Sequence, residues 1–432
     1  MLTSLYTAVS GLSANGVLLS VISDDIANVN TVGFKGSRVY FGDVLSQILT
    51  GIAGSSQIGR GVLVSRVSPL FTQGSFETTT SALDLAIDGD GFFIVKSGEA
   101  VYYTRAGQFT LDKEGNIVNP DGLILQGFLV DSSGKISGEL GDLKIATTQS
   151  PAKMTTMVDI AVNLNASEEV LSDPFTLDGN GDSVMDDPAN YNSSTTVTVY
   201  DSQGGAHEIT LYFVKTGDNT WEVHYVYEDP ANPGQFIEAG VQSLSFNTDG
   251  SLNDDGSSTP ISFNFGTAVT SPQDITFNYG TGTGESPPGN GFDGTTQFAS
   301  DFAVLNLSQD GYGAGSLKNI TISQDGVISG VFTNGQTRIL GQVALAKFVS
   351  PSGLLKIGRN LYAESFDSGQ PIVGAPGTSG LGRVLSNTLE LSNVDLAEEF
   401  VRMISAQRAF QANARTITVT DELTQELVNL RR

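Results

Sequence analysis

Residues 396–417 read LAEEFVRMISAQRAFQANARTI. Positions in this stretch recur at alternating spacings of three and four, and most of them are apolar: Leu396, Phe400, Met403, Gln407, Phe410, Ala414 and Ile417. This alternation predicts an amphipathic helix, with Ser392 or Asn393 as its N-cap and a narrow apolar seam of coiled-coil type. Such a seam needs another helix to cover it.

The start of the chain carries the same pattern. Its positions are Leu2, Leu5, Val9, Leu12, Gly16, Leu19, Ser23 and Ile26, which predicts a helix over about residues 3–28. Gly11 and Gly16 each cost about 1 kcal/mol relative to alanine inside a helix, so we expect this helix to be ordered only when packed. Together the two seams predict a terminal helix pair that packs on itself and on copies of itself.

Between the helices the chain reads as β-structure. Short apolar runs such as Phe92–Val95 (FFIV) alternate with turn signals such as DGDG at 88–91 and NPDG at 119–122. The predicted fold class is mainly β with terminal α-helices, arranged as nested domains. We predict a helical core domain (1–30 and 389–432), a connecting linker (31–70 and 373–388), an inner β-domain (71–145 and 299–372) and an inserted outer β-domain (146–298).

Charge is concentrated in the predicted insertion. Residues 146–300 hold 21 acidic and two basic residues, a net of −19, whereas the whole chain carries −25. Such a surface stays solvated and argues against nucleic-acid partners and anionic membranes. Cysteine is absent, which excludes disulfides and thiol chemistry. We find no basic leader region and no run of about 20 apolar residues, so we expect no cleaved signal and no membrane insertion.

Three motifs resemble one family. ANVNTVGFK at 27–35 resembles the signature that follows the first helix in bacterial flagellar rod and hook proteins. DGDGFF at 88–93 is similar to the central glycine motif of that family, and SNVDLAEEF at 392–400, continued by AQRAFQAN at 406–413, resembles its C-terminal helix motif. The likeness covers about residues 1–145 and 299–432, and the length and insertion look most like the hook members of the family.

The resemblance implies a structural subunit that polymerises into the curved tube joining rod to filament and transmits motor torque. It also implies an extracellular place in the flagellum, reached by type III export without a cleaved signal. The implied partners are copies of the chain, the distal rod protein, the hook cap, the hook–filament junction proteins and the export apparatus. Residues expected at assembly contacts are Leu5, Val9, Leu12, Leu19, Ile26, Asn28, Asn30, Gly33, Phe34, Leu396, Phe400, Met403, Phe410 and Ile417.

One candidate metal site stands apart from these contacts. Asp178, Asn180, Asp182 and Asp186 occupy positions 1, 3, 5 and 9 of an EF-hand-like calcium loop, although Ala189 replaces the usual glutamate at position 12. A solvated acidic turn explains the same residues, so calcium is a possible cofactor and no other is expected. The pattern places His207 and His224 on the polar faces of strands. It places Asp88 and Asp90 in a tight hairpin or bulge. Both assignments explain these residues better than a catalytic site does, so we expect that the chain is not an enzyme.

Other functional classes compete with the hook interpretation. A distal rod subunit of the same family is disfavoured by the insertion. A calcium-stabilised surface adhesin would use the acidic domain for binding, and a carboxylate-dependent glycosidase comes last. Electron microscopy distinguishes them, because only a hook subunit forms curved tubes of fixed diameter.

Overall fold

A computed structural model describes residues 2–44, 47–51, 54–131, 134–145, 149–172, 174–177, 190–256 and 259–429. The chain forms two compact units. Unit 1 contains Met1–Ala146, Lys318–Val331 and Thr337–Arg432, and unit 2 contains Thr147–Leu317 and Phe332–Gln336. The predicted class, mainly β with terminal helices, is confirmed. The four-domain division in the sequence is finer than these two units and stays a prediction.

The two helices belong to unit 1. α1 spans Leu2–Ala27 and α2 spans Leu396–Asn429, and the two pack along each other. The sequence shows no run of about 20 apolar residues, and α1 corrects the expectation drawn from that. Ser4–Ala27 has a mean hydropathy of 1.5 and is long and apolar enough to span a membrane by length and composition alone. Leu, Val and Ile residues produce that value, and Gly, Ser and Thr residues between them interrupt any continuous apolar run. Packing against α2 also accounts for the apolar composition of α1.

Unit 1 begins with short strands. These are β1 (Ser37–Asp43), β2 (Gln47–Gly51), β3 (Gly54–Ile58), β4 (Val62–Pro69), β5 (Phe76–Thr78), β6 (Leu85–Asp88), β7 (Phe92–Ser97), β8 (Ala100–Thr104), β9 (Thr110–Leu111), β10 (Ile117–Val118), β11 (Ile124–Val130) and β12 (Ile136–Asp142). The linker forms two antiparallel hairpins, β1 with β4 and β2 with β3.

Unit 2 contains two sheets. Its strands are β13 (Gln149–Ser150), β14 (Met157–Asn165), β15 (Ser193–Tyr200), β16 (Ala206–Gly217), β17 (Thr220–Glu228), β18 (Phe236–Phe246), β19 (Leu252–Asp254), β20 (Ile261–Phe263), β21 (Gln273–Asn278), β22 (Thr296–Phe298) and β23 (Ala303–Gln309). β15 to β19 form an antiparallel meander, and β14 pairs with β21, β22 and β23. Apolar side chains from both sheets share one buried core, which makes unit 2 a β-sandwich.

β24 (Gly315–Ile322) leads from unit 2 back into unit 1. The remaining strands are β25 (Val327–Phe332), β26 (Thr337–Val343), β27 (Leu345–Lys347), β28 (Leu355–Gly358), β29 (Leu361–Ala363), β30 (Ile372–Gly374), β31 (Arg383–Ser386) and β32 (Thr388–Glu390), and a 3-10 turn spans Pro351–Gly353. The main sheet of unit 1 runs in the order β25, β26, β11, β7, β8, β29, β28. Separate pairs of β31 with β6 and of β32 with β5 place residues 383–390 beside the segment that follows β4.

Candidate assembly interface

α1 approaches α2 through small side chains. Ala8, Gly11 and Ala14 are buried at a spacing of three. A Cβ atom on Gly11 would lie 2.9 Å from the side-chain oxygen and nitrogen of Asn413 on α2. The helices are therefore close enough here that a side chain at position 11 would require Asn413 to move.

The predicted seam of α1 lies beside this buried face. Leu5, Leu12, Leu19 and Ile26 are half-buried, and Val9 is 47% exposed. Seam residues Val9 and Leu12 each follow a buried residue, Ala8 and Gly11, by one position. Consecutive residues are about 100° apart around a helix, so the seam and the buried face point in different directions. Within the described chain the seam is therefore only partly covered.

α2 shows the same division. Its most buried residues are Glu399, Ala406 and Thr420. Of the predicted seam, Met403, Phe410 and Ile417 are half-buried, whereas Leu396 and Phe400 are exposed.

Two apolar residues that the pattern does not include, Val401 and Ile404, are also exposed. With Leu396 and Phe400 they form a continuous row, because spacings of four and three place side chains on one side of a helix. We call these four residues the α2 row.

The N-cap of α2 is Asp395, not Ser392 or Asn393. Its Oδ1 accepts hydrogen bonds from the backbone N–H of Ala397 at 2.8 Å and of Glu398 at 3.3 Å. Asp395 lies directly before the first helical turn, where its carboxylate reaches the unpaired N–H groups. The pattern correctly indicates a polar cap but puts it two or three residues too early.

Asn393 instead ties the linker to the returning chain. Its Nδ2 donates to the backbone oxygen of Leu70 at 2.8 Å and to Thr72 Oγ1 at 2.8 Å. Its Oδ1 accepts the N–H of Gly36 at 2.9 Å. One side chain thus holds two turns of the linker against the start of α2.

Gly33 marks the tightest passage of the linker. Its φ of +68° is in the left-handed region, and a Cβ atom there would lie 2.5 Å from the backbone nitrogen of Ala106. Its N–H also donates to the backbone oxygen of Glu390 at 2.7 Å. Glycine is required at this position by conformation and by space together.

The other motif residues have separate positions. Asn28 Nδ2 donates to the backbone oxygen of Asp24 at 2.9 Å, which closes the C-terminal turn of α1, and Asn30 is exposed. Phe34 is buried, with Lys356 Nζ 4.5 Å from its ring centroid. That ammonium also lies 3.6 Å from Asp24 Oδ2.

A buried ion cluster lies where linker, β-domain and returning chain meet. Glu390 is fully buried, and its Oε1 accepts hydrogen bonds from Lys35 Nζ at 2.6 Å and from the N–H of Gly74 at 2.9 Å. Its Oε2 lies 3.4 Å from Arg105 Nη1. Burial lowers the pKa of Lys35 and of Arg105, and the carboxylate of Glu390 opposes both shifts. The cluster holds residues far apart in sequence at one point.

Asp25 is a second buried carboxylate. Both of its oxygens accept the N–H of Ser37, at 3.0 and 3.1 Å. Burial raises the pKa of Asp25 to about 6, the Ser37 hydrogen bond opposes that shift, and the charge of Glu399 adds to it. A cavity of about 260 Å³ lies between α1, α2 and β1, lined in part by Ser37 and Glu399.

Sequence reasoning missed the positioning roles of Lys35, Arg105, Glu390, Asp25 and Asn393. Lys35 and Asn393 lie inside the quoted motifs, so a polar residue embedded in such a motif is the signal that could have identified them. Arg105 and Glu390 have no such signal, because only the fold brings them together.

The two histidines form no common centre in the part of the chain that the structure describes. The predicted calcium loop (Asp178, Asn180, Asp182, Asp186) lies outside the described residues and stays a prediction, which melting with calcium and then with chelator tests. His207 Nε2 lies 2.8 Å from Asp201 Oδ2, and His224 Nδ1 lies 2.6 Å from Glu238 Oε1. Each histidine therefore has its own carboxylate partner: Asp201 directly follows β15, and Glu238 lies on β18.

Three other carboxylates, of Asp254, Asp255 and Glu285, lie within 4.8 Å of one another. Backbone N–H groups already bind them in part: Tyr279 N–H donates to Asp255 at 3.2 Å, and Asp255 N–H donates to Glu285 at 3.3 Å. They form an acidic cluster between two segments of unit 2, joined by these hydrogen bonds.

The DGDG motif corrects another expectation. It joins β6, which pairs with β31, to β7, which pairs with β8, so it is a turn between two sheets rather than a hairpin. Gly89 and Gly91 have φ values of +108° and +136°. Asp90 Oδ2 forms an ion pair with Lys347 Nζ at 2.9 Å. Asp88 is therefore the last residue of β6, and Asp90 lies in the turn.

Comparison with known proteins covers the whole chain. The models matched are, in chain order, the flagella basal body rod protein (5–35), the flagellar hook protein FlgE/F/G D1 domain (86–167), the flagellar basal body protein FlaE D2 domain (163–312) and the flagellar basal body rod FlgEFG protein C-terminal region (385–430). The chain is 36% identical over 458 residues to flagellar hook protein FlgE of Borreliella burgdorferi, with 100% of both chains covered. The chain belongs to the flagellar hook protein family.

Flagellar hook protein FlgE of Escherichia coli is 36% identical to it over 429 residues, covering 98% of this chain and 99% of the relative. A crystal structure of Helicobacter pylori flagellar hook protein FlgE2 covers 71% of this chain and 98% of its own, at a TM-score of 0.49 and 18% identity. The predicted role as a structural subunit of the flagellar hook is confirmed by the full-length hook-protein relatives. Because those matches include the insertion, they favour the hook over the distal rod.

Proposed function

We propose that this hook-family chain polymerises outside the cell through the terminal helix pair after type III export. In this proposal it joins the distal rod protein below to the junction proteins above, grows beneath a hook cap and carries out no catalysis. The proposal rests on the family and on one observation in particular: both helices keep apolar side chains uncovered.

The uncovered side chains differ from ordinary surface exposure. Single apolar residues on a surface are common, but a contiguous row on one side of a helix indicates an interaction site. The α2 row consists of four large apolar residues within nine positions, each at least 41% exposed. A second copy of the helix pair has matching apolar seams to cover it.

The buried junction gives the helix pair a fixed connection to the β-structure of unit 1. Glu390 lies six residues before α2 begins, and Lys35 lies eight residues after α1 ends. Their ion pair clamps both exits of the helix pair to one place. Such a connection passes force between the helices and the β-structure, as torque transmission requires.

Charge substitutions in the seams test the proposal. Leu12→Asp and Phe410→Asp are expected to leave secretion intact and to block polymerisation, because a carboxylate in a covered apolar contact is strongly unfavourable. Ser13→Asp and Gln411→Asp are matched controls, since both positions are exposed on the same helices. Secretion is measured as chain in the medium of cells lacking their own hook protein, and polymers by electron microscopy.

Normal curved hooks from Leu12→Asp or Phe410→Asp would refute the proposed interface. Failure of the unaltered chain to form tubes at any concentration would refute the proposed function itself.

A further inference from the structure

Unit 1 presents an aromatic side chain with no cover on the described chain. Phe366 is fully exposed, on the loop between β29 and β30. Large aromatic side chains bury 150–250 Å² in contacts and dominate interface energetics. An uncovered phenylalanine is therefore a candidate anchor.

The loop that carries Phe366 is rigidly built. Ser365 Oγ donates to the backbone oxygen of Gly353 at 2.6 Å, and Ser368 Oγ accepts the N–H of Ser365 at 2.9 Å. Ser368 is fully buried, and a Cβ atom on Gly353 would lie 2.5 Å from the backbone of Asp367. Holding the anchor in one place before contact reduces the entropy lost on binding.

A groove of about 640 Å³ lies in the same unit, between the β1–β4 hairpin and the 3-10 turn. We call it the linker groove; residues lining it include Tyr40, Arg66, Leu70, Phe71, Pro351 and Ser352. Phe71 at its base is packed edge-on against Phe92 and Tyr362 in the core, with ring centroids 5.2 and 5.3 Å apart. The groove therefore has an apolar, fixed floor.

One arginine, Arg66, lines the linker groove, and a second, Arg38, lies beside the groove residue Tyr40. Tyr40 and Arg66 are directly opposite each other across the hairpin, and Arg38 is two residues from Tyr40 on the same strand face. The guanidinium of Arg38 lies 6.0 Å from the Tyr40 ring centroid, and Arg66 donates to the backbone oxygen of Ser352. Residues 31–70 hold four basic residues and one acidic residue, in a chain of net charge −25.

The Phe366 loop has the opposite charge. Glu364 and Asp367, both exposed, flank the aromatic ring. An apolar anchor between acidic groups matches an apolar groove lined by Arg66, with Arg38 nearby, and such complementarity selects partner and register.

We propose that Phe366 of one subunit inserts into the linker groove of a second copy of this chain. This inference rests on the proposed function and names a contact outside the helices. In this proposal the contact is heterologous: the anchor of each subunit enters the groove of the next, and the contact repeats from subunit to subunit, as a helical polymer needs. It adds a connection between the β-structures of neighbouring subunits to that between helices.

A truncation measures the contribution of the anchor. Phe366→Ala is expected to raise the critical concentration for polymerisation at least about 10-fold, as loss of an interface anchor does. Leu111→Ala, at a 41% exposed position of the same unit, is the matched control and is expected to leave the critical concentration unchanged. Equal critical concentrations for the Phe366 variant and the control would overturn the inference.

Crosslinking tests the contact directly, because the chain has no cysteine. Subunits with Phe366→Cys are mixed with subunits with Tyr40→Cys, polymerised with excess unaltered chain and treated with a short bismaleimide. We expect crosslinked dimers containing one of each variant, only in polymers. A chain that carries both substitutions should give a ladder of trimers and longer products. As a control, Leu111→Cys subunits in place of Tyr40→Cys subunits should give no crosslinked dimers with Phe366→Cys subunits.

Polymers without mixed dimers would overturn the inference and leave the proposed function standing. A doubly substituted chain that stops at dimers would also overturn it, because that result indicates a reciprocal pair. Absence of polymers from the unaltered chain would instead contradict the proposed function.

Discussion

Unit 2 and the terminal helices bury their apolar residues to different extents. The sandwich of unit 2 buries large side chains from two sheets, among them Trp221, Tyr225 and Phe277. The helix pair buries Ala8, Gly11 and Ala14 and leaves Phe400 and Val401 exposed. Unit 2 thus buries its large apolar side chains within one chain, whereas the helix pair leaves several exposed, and the proposed assembly would cover them.

The largest expected effect is in the completed core. Trp221 is almost fully buried, and its Nε1 donates to Gln297 Oε1 at 3.2 Å. Trp221→Ala should lower the free energy of unfolding of unit 2 by about 3–5 kcal/mol, because it leaves a cavity and an unpaired amide oxygen. Calorimetry should show this loss of stability in a single unfolding transition. Polymerisation through the helices should be unaffected. A loss below about 1 kcal/mol would show that unit 2 is not tightly packed.

The ion cluster of Lys35, Arg105 and Glu390 connects the helix pair to the β-structure of unit 1. Glu390→Ala should destabilise unit 1 by about 3–4 kcal/mol, since it leaves Lys35 and Arg105 buried without their carboxylate. Glu398→Ala is the control, because its pair with Arg402 is exposed and contributes at most about 1 kcal/mol. Chemical denaturation of both variants checks the difference. Similar losses in the two would contradict a clamp at Glu390.

Two glycines differ in whether a larger residue can replace them: Gly33 has no room for a side chain, and Gly16 has. Gly33→Ala should cost about 3 kcal/mol, from left-handed strain and from the contact with Ala106. Gly16→Ala should stabilise α1 by up to about 1 kcal/mol, because a Cβ there meets no atom within 4 Å in the described chain. Circular dichroism melting of the free subunit measures both. If the two changes had the same sign, the linker passage would not be as tight as described.

The smallest expected effect depends on pH. Burial raises the pKa of Asp25 to about 6 from an unfolded value of 3.8, so the folded chain binds this proton more tightly. The resulting stabilisation is complete below pH 3.8 and is lost as the pH rises through 6. Asp25→Asn should therefore raise stability at pH 7.5 by about 1–2 kcal/mol, below the roughly 3 kcal/mol that the full shift would give, and change little at pH 4.

Melting of both chains between pH 4 and pH 8 checks this prediction. A constant difference across that range would show that Asp25 does not titrate in it.

Local patterns predicted the parts of the molecule that local chemistry specifies. The 3-4 alternation identified both helices, and the glycine turns identified β-structure, because side-chain periodicity follows the backbone of a single element. The pattern did not identify the face of α1 that contacts α2. Ala8, Gly11 and Ala14 have little apolar area, and their burial follows from the close approach of Asn413, which is 402 residues away from Gly11 in the sequence.

The ion cluster and the Phe366 loop escaped prediction for the same reason. Glu390 meets Lys35 across 355 residues, and Phe366 is distinguished only by the absence of neighbours around it. The N-cap error at α2 has a different cause: Ser392, Asn393 and Asp395 are all good caps by type, and tertiary contacts to Leu70 and Thr72 occupy Asn393.

The accessibility of α2 during assembly tests the central claim most directly. A single Phe400→Cys substitution gives a unique thiol, because the chain has no other cysteine. Maleimide should label this thiol rapidly in the free subunit and at least about 10-fold more slowly in the polymer, because a covered side chain excludes the reagent. An equal labelling rate in subunit and polymer would show that the α2 row stays exposed, and would contradict assembly through the helix seams.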